Sequence, residues 1–179
     1  MQRHLMLDLE TLGTRTDTIV TSIGVCEFNA QGVTISEEIH LSVQDQIDLG
    51  LTPDASTLLW WLDRPRAARE HLMAGQRDAD RLDHGLRRVA DIIKMEPCCV
   101  WGNGAAFDLS KLAHLYTVTG MEIPWKHWDE RCYRTVKVAY PNIKLIRTGT
   151  HHVAKDDAAT QAAHLVQINA FAGGIYLDS

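Results

Sequence analysis

The chain has 179 residues, 45% hydrophobic and 23% charged, with a formal charge of −5 from 18 basic and 23 acidic residues. That length predicts one domain, residues 1–179, able to bury a core without disulfide or metal staples. The composition excludes a disordered, collagenous or coiled-coil chain, and the negative total argues against holding nucleic acid by bulk charge alone.

Residues 1–7 hold an apolar run too short for a signal-peptide core. The longest stretch free of Asp, Glu, Lys and Arg, residues 158–177, still contains Thr160, Gln161, His164, Gln167 and Asn169. Those polar groups are costly in hydrocarbon, so the stretch reads as a buried helix and its tail, with a homodimer contact as a further use. Cys26, Cys98, Cys99 and Cys132 show no paired metal spacing. The expectation is a reduced, cytoplasmic protein with no membrane partner.

In chain order, residues 5–9 predict a buried strand ending in acid. Residues 18–28 and 33–43 predict two more strands around the turn 29–32, so the first three form an antiparallel meander. Thr52-Pro53 predicts a helix start with Thr52 as cap. A short helix follows from Pro65 to Gly75, then a longer one over 78–95. Residues 97–101 predict a strand, 107–119 a helix closed by Gly120, and 125–140 a short strand then a helix. Residues 143–150 form a basic loop, and the last helix runs from about Val153 to Phe171. The sum is a mixed α/β domain with helices covering the sheet.

Charge is uneven. Residues 1–125 carry 11 basic and 18 acidic residues, while 126–179 carry 7 and 5. Lys126, Arg131, Arg134, Lys137, Lys144 and Arg147 read either as a solvated face or as a track for a polyanion.

Three short stretches carry chemistry. Asp8 and Glu10 are two apart in a strand and point to the same side. Two carboxylates at the end of an apolar strand need a cationic partner, and hard divalent cations favour oxygen. Asp108 opens the helix after the strand that ends at Trp101; alone, it also reads as a first-turn acid favoured by the helix dipole. In His151-His152-Val153-Ala154-Lys155-Asp156-Asp157, a helical wheel puts Asp157 roughly 60° from the apolar centre and Asp156 roughly 160° from it. Asp157 thus faces the sheet, Asp156 faces water, His152 bends over the same site, and His151 is an exposed loop residue.

In this order the stretches resemble the DnaQ-like 3′-5′ exonucleases, the DEDD branch of the ribonuclease H-like superfamily. Asp8 and Glu10 match the first motif, Asp108 the second and Asp157 the third. His152, Ala154, Asp157 and Ala158 match the His-Xaa-Ala-Xaa-Xaa-Asp-Ala pattern of the histidine subtype, DEDDh; Val153 stands where the tyrosine subtype has Tyr. The likeness spans residues 5–170. Thr52-Pro53-Asp54, Trp60-Trp61, residues 101–104 and residues 131–135 resemble a narrower phage and bacterial group, which includes phage exonuclease A, exodeoxyribonuclease VIII and a mycobacterial exoribonuclease preferring polyadenylate.

The resemblance implies an α/β, ribonuclease H-like mixed five-stranded sheet flanked by helices. It implies two divalent ions, Mg²⁺ or Mn²⁺, on Asp8, Glu10, Asp108 and Asp157, with His152 as general base. The substrate is then single-stranded DNA or RNA with a free 3′ end, and the products are nucleoside 5′-monophosphates. Thr11 and Leu12 are candidates to contact the terminal nucleotide. Phe107 either stacks on a base or packs, and Asn103 either orients substrate or caps the following helix. Trp60 and Trp61 lie 100° apart on a helix, so one faces the core and the other can stack on a base; Trp61 is carried as the stacking candidate. Arg131 and Arg134 complete the candidate substrate contacts.

Overall fold

The computed structural model describes residues 2–177; residues 1, 178 and 179 of the expected domain lie outside the described residues. Five strands form one mixed sheet in the order β3-β2-β1-β4-β5. β1 (Arg3–Thr11), β2 (Val20–Asn29) and β3 (Gly32–His40) are antiparallel neighbours. β4 (Cys98–Gly102) runs parallel to β1, and the short β5 (Glu130–Cys132) runs parallel to β4. This is the antiparallel meander read from the sequence, with two parallel strands on its other side.

β1 is buried on both faces, which explains its near-continuous apolar run. Leu5, Leu7 and Leu9 pack with α4 (Leu82–Lys94) and α5 (Asp108–Val118), through Leu86, Val89, Leu112 and Leu115. Each such leucine contributes about 1.5–3 kcal/mol by burial. Met6, on the opposite face, joins Ala158, Ala162, Leu165 and Ile168 of α7 (Ala154–Phe171). Asp8 and Glu10 follow Met6 by alternation, so β1 delivers both carboxylates to the α7 side.

α7 packs on β1, β2 and β3. That burial explains why residues 158–177 lack charges, and it leaves this uncharged stretch no argument for a subunit contact. Gly24, the β2 residue opposite Asp8, makes the approach close. A Cβ there would sit 2.1 Å from the Ala154 carbonyl oxygen at the start of α7. Gly24→Ala is therefore expected to destabilise the protein by about 1–3 kcal/mol, or roughly 2–12 °C in Tm. Thermal unfolding checks this; an unchanged Tm would mean that α7 does not seat on β2 here.

Several boundaries differ from the expectation. The third strand stops at His40, and residues to Val43 were expected within it. Val43 instead opens a short helix, α1 (Val43–Asp48), because the Ser42 hydroxyl accepts the Asp45 N–H at 3.1 Å. Thr52 does not cap a helix: it bridges Thr18, and α2 (Ala55–Leu62) starts after Asp54. Asp54 makes no side-chain cap either, since its carboxylate accepts the Thr14 N–H at 2.8 Å. Gly75 lies inside α3 (Arg66–Arg77) rather than ending it. α4 begins only at Leu82, after Asp80 bridges Leu41. α6 (Tyr133–Ala139) follows β5, as expected. Among the described residues no helix is long and apolar enough to cross a membrane.

Candidate active site

The sheet and α7 bring four carboxylates together. Asp8, Glu10, Asp108 and Asp157 are all buried, 3–8% exposed. Acceptor oxygens of Asp8, Glu10 and Asp157 lie within 4.8 Å of one another, close enough to share a metal ion. Asp108 sits at the first position of α5 and is held by backbone. Its two oxygens accept the Leu9 N–H at 3.3 Å and the Gly104 N–H at 3.1 Å. That ties the α5 start to the end of β1.

Burial sets the electrostatics. Desolvation pushes the Asp8 carboxyl well up, and the charges of Asp108 and Asp157 add to it. Desolvation likewise raises Glu10 strongly, helped by Asp8 and Asp157. Asp108 is pushed up to about 6, again by desolvation first. Close carboxylates in low dielectric favour protons unless a cation replaces them. Two features relieve the repulsion. Gln161, one turn after Asp157 on α7, donates to Asp8 Oδ1 at 2.7 Å. Arg147, from the basic loop, donates to Asp157 Oδ1. In the sequence Gln161 reads only as a polar residue of the uncharged stretch 158–177, and Arg147 only as part of the basic track. The i, i+4 spacing of Asp157 and Gln161 is the signal that could have found the former.

His152 comes over the same cluster. Its backbone has φ 66°, unusual for a residue with a side chain and a cost of about 1–3 kcal/mol. The Asp157 carboxylate holds the turn by accepting the His152 N–H at 3.0 Å. The imidazole Nδ1 stands 4.0 Å from Glu10 Oε1. The ring stacks on His151 at 3.7 Å and meets Trp60 edge-on at 4.8 Å. Burial, then the neighbouring His151, push its pKa down to about 4, so the ring is neutral at pH 7. Asp156 does not face water as expected. It is half-buried and accepts the Thr150 N–H at 2.7 Å, clamping the loop before the histidines.

A family model described as the 3′-5′ exoribonuclease Rv2179c-like domain matches residues 3–169. The chain belongs to this family. The Rv2179c-like match spans every residue of the cluster, from Asp8 to Gln161. No match was found among curated proteins. Among solved structures, a product-bound exonuclease I aligns over 96% of this chain and 44% of its own, at 15% identity and TM-score 0.64. Exonuclease I of E. coli with a dT13 oligonucleotide gives 98% and 43%, 14% identity and TM-score 0.69. The nuclease domain of 3′hExo, a DEDDh family member bound to rAMP, gives 97% and 94%, 11% identity and TM-score 0.67. The chain spans less than half the length of exonuclease I. The likeness establishes the fold, a ribonuclease H-like α/β sheet flanked by helices.

The Rv2179c-like domain presents the other expected residues unevenly. Beside the carboxylates lies a cleft of about 400 Å³ bordered by Glu10, Thr11, Thr14, Trp60 and Phe107. The stacking candidate Trp61 is not in it. Trp61 is 4% exposed, and its indole N–H donates to the Thr11 carbonyl at 2.9 Å. A buried indole needs such an acceptor, and that fixes which tryptophan turns inward. Trp60, 37% exposed, is the ring presented to the cleft. The Thr11 hydroxyl donates to the Gly13 carbonyl at 2.8 Å, and Leu12 packs partly buried against the core. Phe107 borders both the carboxylates and the apolar cleft, with the Lys111 ammonium 3.4 Å from its ring centre.

Asn103 does not cap α5. It lines the carboxylate cleft, and its Oδ1 is buried with no hydrogen-bond partner among the described residues. Arg134 also lines that cleft and donates to the Asn103 carbonyl at 2.9 Å. Arg131 is exposed, donates to the Trp128 and Glu130 carbonyls, and is not among the residues lining either cleft.

Proposed function

We propose that this protein is a metal-dependent 3′-5′ exonuclease of the DEDDh type that removes nucleoside 5′-monophosphates from the free 3′ end of a single strand. The carrying observation is the convergence of Asp8, Glu10 and Asp157 within 4.8 Å, with Asp108 beside them and a neutral His152 above. The donor set fits hard divalent cations: it offers oxygens only and is buried, and desolvation, then neighbouring carboxylates, raise Asp8 and Glu10. Asp8, Glu10, Asp108 and Asp157 would hold two such ions, Mg²⁺ or Mn²⁺. Bound there, they would lower the pKa of the attacking water and stabilise charge on the leaving 3′ oxygen.

The chain's own groups do the rest. The Trp60, Phe107 and Thr11 cleft takes the terminal nucleoside, leaving its phosphodiester over the carboxylates. Arg134 and Arg147 face that anion. His152 accepts a proton from the attacking water as the new P–O bond forms and the bond to the 3′ oxygen breaks. A ring with pKa about 4 is available but weakly basic. The incoming phosphate brings negative charge to the same cleft and raises it toward working pH.

A single cytoplasmic domain is part of this reading. The family description supports RNA as the first substrate. Incubation with Mg²⁺ and matched 3′-hydroxyl RNA and DNA single strands tests the choice: faster ladders on RNA support it, and equal or faster ladders on DNA overturn it. Trp60→Ala is expected to weaken binding of a short single strand by about 1–3 kcal/mol, five- to 150-fold in Kd. Fluorescence anisotropy with Ca²⁺ in place of Mg²⁺ measures this. Unchanged affinity would leave Trp60 as packing for His152 alone.

A further inference from the structure

We propose that Glu38, His40 and His71 form a second cation site, separate from the four-carboxylate cluster, for a borderline divalent transition metal of the Zn²⁺ class. Glu38 and His40 are two apart on β3 and share its face. His71 reaches them from α3. One donor atom from each residue lies within 4.8 Å of the others. His71 Nε2 is 2.7 Å and His40 Nε2 is 3.9 Å from Glu38 Oε2. Two bonds of about 2.0–2.1 Å at the tetrahedral angle place ligand atoms about 3.4 Å apart, a value these two distances bracket. Two imidazoles and one carboxylate suit Zn²⁺, Ni²⁺ or Co²⁺ rather than the oxygen-seeking Mg²⁺.

The surroundings are built for that convergence. The Glu38 side chain is only 5% exposed, and its other oxygen, Oε1, accepts the Ala154 N–H at the start of α7 at 3.3 Å. That bond orients the carboxylate and leaves Oε2 for the imidazoles, as outer contacts do at metal sites. Gly75, one turn beyond His71, lets α3 close on His40: a Cβ there would lie 2.2 Å from His40 Nδ1. The His40 ring is thereby wedged with Nδ1 against the helix and Nε2 toward Glu38. The His71 ring, 33% exposed, leaves the fourth position open to solvent. A cation here would pin α3 to the edge strand and, through Glu38, brace the N-terminus of the helix that carries Asp157.

The test removes the catalytic cluster first. An Asp8→Asn/Asp157→Asn chain and the same chain with His71→Gln are dialysed to equilibrium against Zn²⁺. Gln keeps a donor for Glu38 at a partly exposed position, so the fold is preserved. The expected result is one Zn²⁺ fewer per chain in the His71→Gln protein. Zn²⁺ at a hundredfold above its Kd should also raise the Tm of the parent by about 5–10 °C more than that of the His71→Gln protein. Equal Zn²⁺ counts in the two proteins, or equal shifts in Tm, would overturn the site and leave a hydrogen-bonded Glu–His cluster.

Discussion

Asp8→Asn is expected to lower kcat/KM at least about a thousandfold while making the metal-free protein more stable. The loss follows because charge stabilisation by bound cations is worth several kcal/mol, and about 4 kcal/mol is a factor of a thousand. The gain follows because Asp8 is desolvated and repelled by Asp108 and Asp157. An amide keeps the acceptor oxygen for Gln161 and removes the charge. A higher stability at pH 7 is therefore expected in denaturant titrations without metal. A destabilised, active Asp8→Asn protein would mean that the carboxylate is structural.

The same logic gives the metal-free protein a pH dependence. A carboxyl with a raised pKa binds its proton more tightly when folded than when unfolded. Its contribution is full at low pH and is lost as pH rises through the folded value. For Asp108, lifted from 3.8 to about 6, the loss between pH 4 and 7 is about 2 kcal/mol. Desolvation and neighbouring carboxylates raise Asp8 and Glu10 too, and they add to the decline. Unfolding midpoints in a chelator should fall across this range, and Mg²⁺ or Mn²⁺ should reverse the fall at neutral pH.

His152→Ala carries the second large effect, a fall in kcat of about 10²–10⁴-fold with metal binding retained. His152 stands over Glu10 and is gripped through its backbone by Asp157, so removing the imidazole leaves the turn and the carboxylates in place. His151→Ala is expected to keep most activity, because His151, although it lines the carboxylate cleft, is exposed and stacks on His152. Single-turnover rates with each variant separate the two. The reverse pattern, a dead His151→Ala enzyme and an active His152→Ala enzyme, would reassign the base.

Periodicity made much of this site readable. Alternation along β1 put Asp8 and Glu10 on one face, and the wheel of α7 turned Asp157 inward, where the structure has it 7% exposed. In both cases the side chain's direction is set by one element and its own apolar stripe. What sequence could not supply were choices made across the chain. Trp61 turns in because its indole finds the Thr11 carbonyl, 50 residues away. Asp54 gives up capping α2 because Thr14 takes its carboxylate. Arg147 and Gln161 gain meaning only once the sheet has gathered the acids they partner. The Glu38–His40–His71 cluster likewise needs α3 folded back on β3 before its members meet.

The carboxylate site is proposed to work on a free 3′ end. The most direct measurement gives the protein two 5′-labelled single strands with Mg²⁺, one ending in a 3′-hydroxyl and one blocked there, and identifies the released products. The expected result is stepwise shortening of the open strand with release of nucleoside 5′-monophosphates, an intact blocked strand, and no cleavage of either strand in chelator. Internal cuts in the blocked strand, or release that persists in chelator, would contradict it.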